Sequence, residues 1–197
     1  MGNLVMRVFD MAFGRPQGWM GRAGGALMAL LNVEQERWGV SRAAVRPGER
    51  VLVVGHGPGV GLHLCGDAVG PGGHVVGVDP SAPMHEMAAS RCARQVDAGL
   101  VELREGSAEW TGCADASMDA VISVNNVMLW DRPAGFAELH RVLRPNGRLV
   151  ITVHRHVLDV TPETVQHDAE EAGFHGIELT ARPRRFNSPA IELVAHR

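Results

Sequence analysis

The chain has 197 residues, which favours one domain, and 45% of them are hydrophobic, enough for an ordinary globular core. A net charge of -3 gives no broad basic field and disfavours sequence-blind binding to nucleic acid. Lys and Tyr are absent, which excludes Schiff-base chemistry, a phosphate-loop lysine and a phenolic acid or base. The cysteines at 65, 92 and 113 are odd in number and show neither CxxC nor a metal-ligand spacing. They read as reduced thiols of a cytoplasmic protein with no metal site.

Residues 1–48 read as a glycine-punctuated helical extension, with Leu27, Leu30, Leu31 and Trp38 near helical spacing. The apolar run from Gly24 to Val33 is too short to span a membrane, and the N-terminus lacks a signal-peptide cleavage pattern. "RPGER" turns the chain into a first strand, Val51 to Val54, whose unbroken apolar character suits a parallel sheet buried on both faces. A helix over Val60–Val69 stops at "GPGG", and a second strand runs from His74 to Asp79. Ser81 is placed to cap a helix reaching about Ala98, with Met84, Met87, Ala88 and Arg91 on one face. "LVELREG" and "MDAVISVNN" read as strands three and four. Asp131 caps a helix with Pro133 in its first turn and Phe136, Leu139, Val142 and Leu143 as its stripe. "RPNG" turns into a fifth strand, Arg148–Val153. Thr161–Pro162 opens a helix that ends at Gly173, and "HGIELT" and "AIELVAHR" close the chain as two strands. Helices alternate with strands, so the expected fold is α/β, a sheet covered on both faces.

The segment "VLVVGHGPGVGL" carries glycines at 55, 57, 59 and 61 directly after a buried strand. Such a turn admits a ligand close to the backbone, and the helix that follows aims free N–H groups at the same place. Asp79 ends the neighbouring strand about 20 residues on, where a carboxylate accepts from both ribose hydroxyls and repels a phosphate. Strand, turn, helix and acid together form a nucleoside-binding device. The dinucleotide fingerprint GxGxxG fits poorly, because its third glycine falls on Val60.

These residues resemble the class I S-adenosylmethionine-dependent methyltransferases. "VLVVGHGPG" is similar to the family's first motif, of the form VLDxGxGxG. "GVDPSAPMHEMA" resembles its second-strand motif, "GSAEW" its adenine-edge motif, and "MDAVISVNNVMLW" and "ELHRVLRPNGRLVIT" the fourth and fifth strands with their surroundings. The likeness covers roughly Arg46 to Arg197. It departs from the family at Val53, where an acid is usual, at Ser107, where Asp is usual, and in the missing "LPF" after that motif. The resemblance implies a Rossmann-like three-layer sandwich: a seven-stranded, mostly parallel sheet with a C-terminal antiparallel hairpin. Residues 49–197 would form the methyltransferase domain and residues 1–48 a helical lid.

The resemblance further implies S-adenosyl-L-methionine held by Gly55, His56, Gly57, Gly59, Asp79, Pro80, Met84, Ser107, Ala108, Glu109, Trp110 and Asn125. Methyl transfer needs alignment and exclusion of water, and a base only where the acceptor carries a proton. His154 and His156 fall just past the fifth strand, two apart, and are the candidate bases. Substrate contacts are expected from Phe13, Arg15, Trp19, Arg22, Asn126, Trp130 and Arg155. Arg184 and the other arginines suit a carboxylate or phosphate on the acceptor. The base-amine motif after strand four and the Pro-Cys nucleophile of nucleic-acid enzymes are both missing, so a small molecule or a peptide end is the expected acceptor. The apolar extension also offers a surface for a homodimer. Two other classes stay open: a methyltransferase-like binding or partner module without turnover, suggested by Val53 and Ser107, and a NAD-dependent oxidoreductase.

Overall fold

The computed structural model describes residues 32–183 and 188–197. Seven strands form one sheet in the order β3-β2-β1-β4-β5-β7-β6. They are β1 (Arg50–Val54), β2 (His74–Asp79), β3 (Val101–Glu105), β4 (Met118–Val124), β5 (Leu143–His154), β6 (His175–Arg182) and β7 (Ala190–His196). Pairing is parallel from β3 through β5, and β7 then runs antiparallel to both β5 and β6. The expected sandwich with its terminal hairpin is therefore the observed fold.

The helices are α1 (32–43), α2 (Val60–Val69), α3 (Ala82–Arg91), α4 (Ala93–Asp97), α5 (Arg132–Val142) and α6 (Pro162–Glu171). Alternate strand residues feed two cores, as the two-residue period requires. Leu52, Val54, Val76 and Val121 pack with Phe136, Leu139 and Val165 under α5 and α6. Val51, Val53, Ile122 and Val150 pack with Leu62, Cys65, Ala88 and Ala43 on the opposite face.

On that second face α1 lies close to the sheet. A Cβ at Gly39 would stand 3.2 Å from Val124 Cγ2. Glu192 of β7, 3% exposed, accepts from Trp38 Nε1 and, at 2.6 Å, from Arg42 Nε. This buried carboxylate fastens α1 to the sheet.

Three local expectations change. The helix after Ser81 breaks at Cys92 into α3 and α4, and Ser81 stands at the cap position without donating or accepting through its side chain. Its N–H instead donates to Asp79 Oδ1 at 2.9 Å. "RPNG" lies within β5 as an outward loop with Asn146 at φ +64°: Leu143 pairs with Met118 and Arg148 with Ala120. Strand four ends at Val124, before both asparagines. By contrast Asp131 and Thr161 cap α5 and α6 as expected, accepting from Ala134 N and Thr164 N.

Candidate functional site

Strand order reverses between the parallel neighbours β1 and β4, and the loops after β1 to β5 gather over the carboxyl ends there. The glycine turn sits at this point. Gly57 has φ +52°, and a Cβ added to it would meet nothing within 4 Å, so the turn presents bare backbone to open space. Gly55, at φ +62°, is closed: a Cβ there would lie 2.1 Å from Asn126 Nδ2.

The turn is held from three sides. Asp79, 7% exposed, accepts from Gly57 N at 2.9 Å through Oδ2 and from Ser81 N through Oδ1. Each oxygen keeps a lone pair for a further donor. Arg91 of α3 donates to Pro58 O at 2.8 Å. Asn126 donates to Val54 O at 2.6 Å and accepts from Ser123 Oγ at 2.7 Å. The asparagine expected against substrate is thus engaged inside the fold, tying β4 to the turn. Arg91 was read from the sequence only as part of a helix face, because its bond to Pro58 joins positions 33 residues apart.

His56 also departs from expectation. Its ring is 2% exposed and tucked beneath the turn, edge-on to His85 with centroids 4.8 Å apart. Nδ1 donates to Gly57 O at 2.8 Å, and Nε2 has no partner. Burial pushes its pKa down, so the ring is a neutral prop and only its backbone faces the site. His85 donates to Asp79 O at 2.7 Å, a second contact that the sequence did not disclose.

Pro80 is exposed just past β2, and Met84 is buried, 4% exposed, on α3. Beyond β3, Ser107 and Trp110 close a tight turn by exchanging main-chain hydrogen bonds of 3.1 and 3.3 Å. Ala108 is 2% exposed and packs into the core, so its side chain does not line a pocket. Glu109 accepts from Asp131 N at 2.7 Å. Trp110 is 67% exposed, an aromatic face at the rim of the site. Trp130 leans on the core, 5.8 Å from Phe136 by centroid.

Asn125, at φ +56°, bridges three elements: its Oδ1 accepts from Gln35 Nε2 of α1 at 3.1 Å and from His154 N at 3.0 Å. Its Nδ2 is buried without a partner, as is Ser81 Oγ. His154 closes β5 at 8% exposure, and its Nε2 reaches Asn32 Oδ1 of α1 at 3.4 Å. Arg155–Val157 forms a 3₁₀ turn where an extended segment was expected, yet the His154 and His156 rings still stack at 5.5 Å. His156 is exposed and pairs with Ser188. Arg155 N donates to Pro189 O at 2.9 Å. Phe13, Arg15, Trp19, Arg22 and Arg184 lie outside the described residues.

Open backbone at Gly57, spare lone pairs on Asp79 and the orphan hydroxyl of Ser81 fit a nucleoside with a ribose beside the acid. No group of three or more potential metal ligands occurs among the described residues. No described helix is long and apolar enough to cross a membrane.

Residues 52–151 match the family described as "Methyltransferase domain". The chain is 31% identical to the uncharacterized methyltransferase YdaC of Bacillus subtilis over 167 residues, 79% of this chain and 87% of that protein. It is 41% identical to an arsenite methyltransferase of Halobacterium salinarum over 71% of this chain, though it spans only 41% of that protein. Among solved structures, an S-adenosylmethionine-dependent methyltransferase from Aquifex aeolicus superposes with a TM-score of 0.73 at 17% identity, covering 89% of this chain and 97% of that one.

Proposed function

The chain belongs to the methyltransferase-domain family as a class I S-adenosylmethionine-dependent methyltransferase, and from that premise we propose that its acceptor is a small molecule. The observation that carries this reading is the bridge Gln35–Asn125–His154. Through it the first turn of α1, a helix that otherwise packs along the sheet face, is pinned at the carboxyl ends of β4 and β5, and with Asn32 beside the His154 ring it partly roofs the place where an acceptor would sit. A roofed site admits a compact molecule and shuts out a broad polymer surface.

The cofactor supplies an electrophilic methyl group on a sulfonium. The first turn of α2 offers N–H groups to a carboxylate, and Asp79 and Ser81 offer acceptors and a hydroxyl to a ribose. Trp110 offers a flat face at the rim. His154, or His156 stacked on it, would take a proton from an acceptor oxygen, nitrogen or sulfur as the bond to carbon forms. The roof over His154 would keep water from competing.

An arsenic acceptor, as in the name of the haloarchaeal relative, is soft and calls for thiolates. Here all three thiols are buried, and burial raises the pKa of each, Cys92 to about 11. An organic acceptor suits the site better. The test is transfer of labelled methyl from S-adenosylmethionine into fractionated cell extract. Label in a low-mass fraction is the expected result; label confined to protein or nucleic acid would overturn the reading.

A further inference from the structure

We infer that Glu36 of α1 is the carboxylate that receives the α-ammonium of the bound cofactor, acting from beneath the glycine turn across the first turn of α2. The inference rests on the cofactor assignment and adds a residue that lies outside the matched segment 52–151.

Three observations converge. Glu36 Oε2 lies 2.6 Å from the point where a Cβ on Gly61 would stand, and Val53 Cγ1 lies 3.8 Å from the same point. The carboxylate therefore fills a niche between α1, the first turn of α2 and the apolar Val53 of β1. Among the described residues no hydrogen bond reaches this carboxylate, and only the distant charge of Arg91 favours its ionised form. Burial pushes its pKa up to about 8, although the residue as a whole keeps some exposure. A desolvated carboxylate without donors is costly, and its place beside the ligand turn suits a cation that would meet it there.

Gly61 gives the second half of the argument. Glycine weakens a helix, and nothing about the backbone demands it here, because Gly61 lies inside α2 without a positive φ. What a side chain at 61 would meet is the Glu36 carboxylate, which it would displace from its niche. The chain thus combines a helix glycine with an orphan acid to hold negative charge next to its ligand turn. The amino-acid part of S-adenosylmethionine carries a carboxylate and an ammonium one carbon apart. With the carboxylate on the first-turn N–H groups of α2, the ammonium falls within the same neighbourhood, where Glu36 is a half-buried acid without a donor among the described residues.

The titratable and charged groups felt by Glu36 are Arg91 of α3 and Cys65 of α2. Near neutral pH the free carboxyl holds its proton, and docking of an ammonium would drive that proton into solvent. Affinity for S-adenosylhomocysteine should therefore rise between pH 6 and 8, with proton release visible as a dependence of binding heat on buffer. Calorimetry on the full chain and on Glu36→Gln tests this, with methylthioadenosine, which lacks the amino acid, as the second ligand. Expected is a loss of about tenfold or more for S-adenosylhomocysteine in the variant, the size of one charge-assisted contact, a flat pH profile and unchanged methylthioadenosine binding. Equal losses for both ligands, or no loss for either, would overturn the proposal. If the wild type bound neither ligand, the cofactor assignment would fall and the proposal with it.

Discussion

The side-chain amide of Asn126 donates to the carbonyl of Val54 at 2.6 Å, so the second residue after β4 fastens the last residue of β1 at the mouth of the site. Asn126→Ala would strip Val54 O and Ser123 Oγ of their partners and open a void against Gly55. Loss of these buried bonds is expected to lower stability by about 1–3 kcal/mol and to weaken cofactor binding through the loosened turn. Denaturant unfolding and calorimetry check the two effects separately.

Asp79→Ala removes the acceptor of Gly57 N and the proposed ribose acceptor together. Cofactor binding should disappear from calorimetry while the far-ultraviolet circular dichroism stays that of the folded sheet. Asp79→Asn keeps an acceptor for one N–H and should bind weakly.

His154→Ala and His156→Ala separate the two candidate bases. The variant that removes the base should lower kcat by roughly 10²–10⁴-fold and leave cofactor affinity nearly unchanged. His154 is the better placed, at 8% exposure beneath α1, whereas His156 stands exposed. Equal turnover in both variants would assign proton removal to solvent.

His56 is buried neutral, and burial holds its folded pKa below the ordinary value. The unfolded chain therefore binds this proton more tightly than the native one. The stability that His56 allows is present above its unfolded pKa of about 6.5 and drains away as pH falls through that value toward the folded pKa. His56→Leu, which cannot titrate, should flatten the fall of melting temperature between pH 6.5 and 5.

Glu192→Ala would remove the carboxylate that holds Trp38 and Arg42 of α1. The Arg42 partner is half-exposed, so loss of the charged hydrogen bonds is expected to cost about 1.5–3 kcal/mol. The loss should show as a lower melting temperature and, because α1 carries Gln35 and Asn32, as reduced turnover.

The alternating elements, the glycine turn and the acid at 79 were legible because each is written in local spacing: an apolar run, a helix stop, a residue at a strand end. The two closing strands were legible for the same reason, and their antiparallel pairing was what the family resemblance implied. The roles of His56, Asn126 and Ala108 were not, since a residue's position in a motif does not say which way its side chain turns. Whether Asn126 faces a ligand or the Val54 carbonyl depends on a pairing across 72 positions. Arg91, His85 and Glu36 drew no attention as functional residues for a related reason. Their partners lie on other elements, and each looks like an ordinary polar residue on a helix.

The turn at Gly57 is clasped by the end of a neighbouring strand through a bond internal to the protein. Its conformational freedom is surrendered once, when the chain folds, and need not be surrendered again at each catalytic cycle. A nucleoside then meets a rigid receptor, arriving without a slow rearrangement. The demethylated product leaves the same way, which favours quick exchange of one for the other between rounds of transfer.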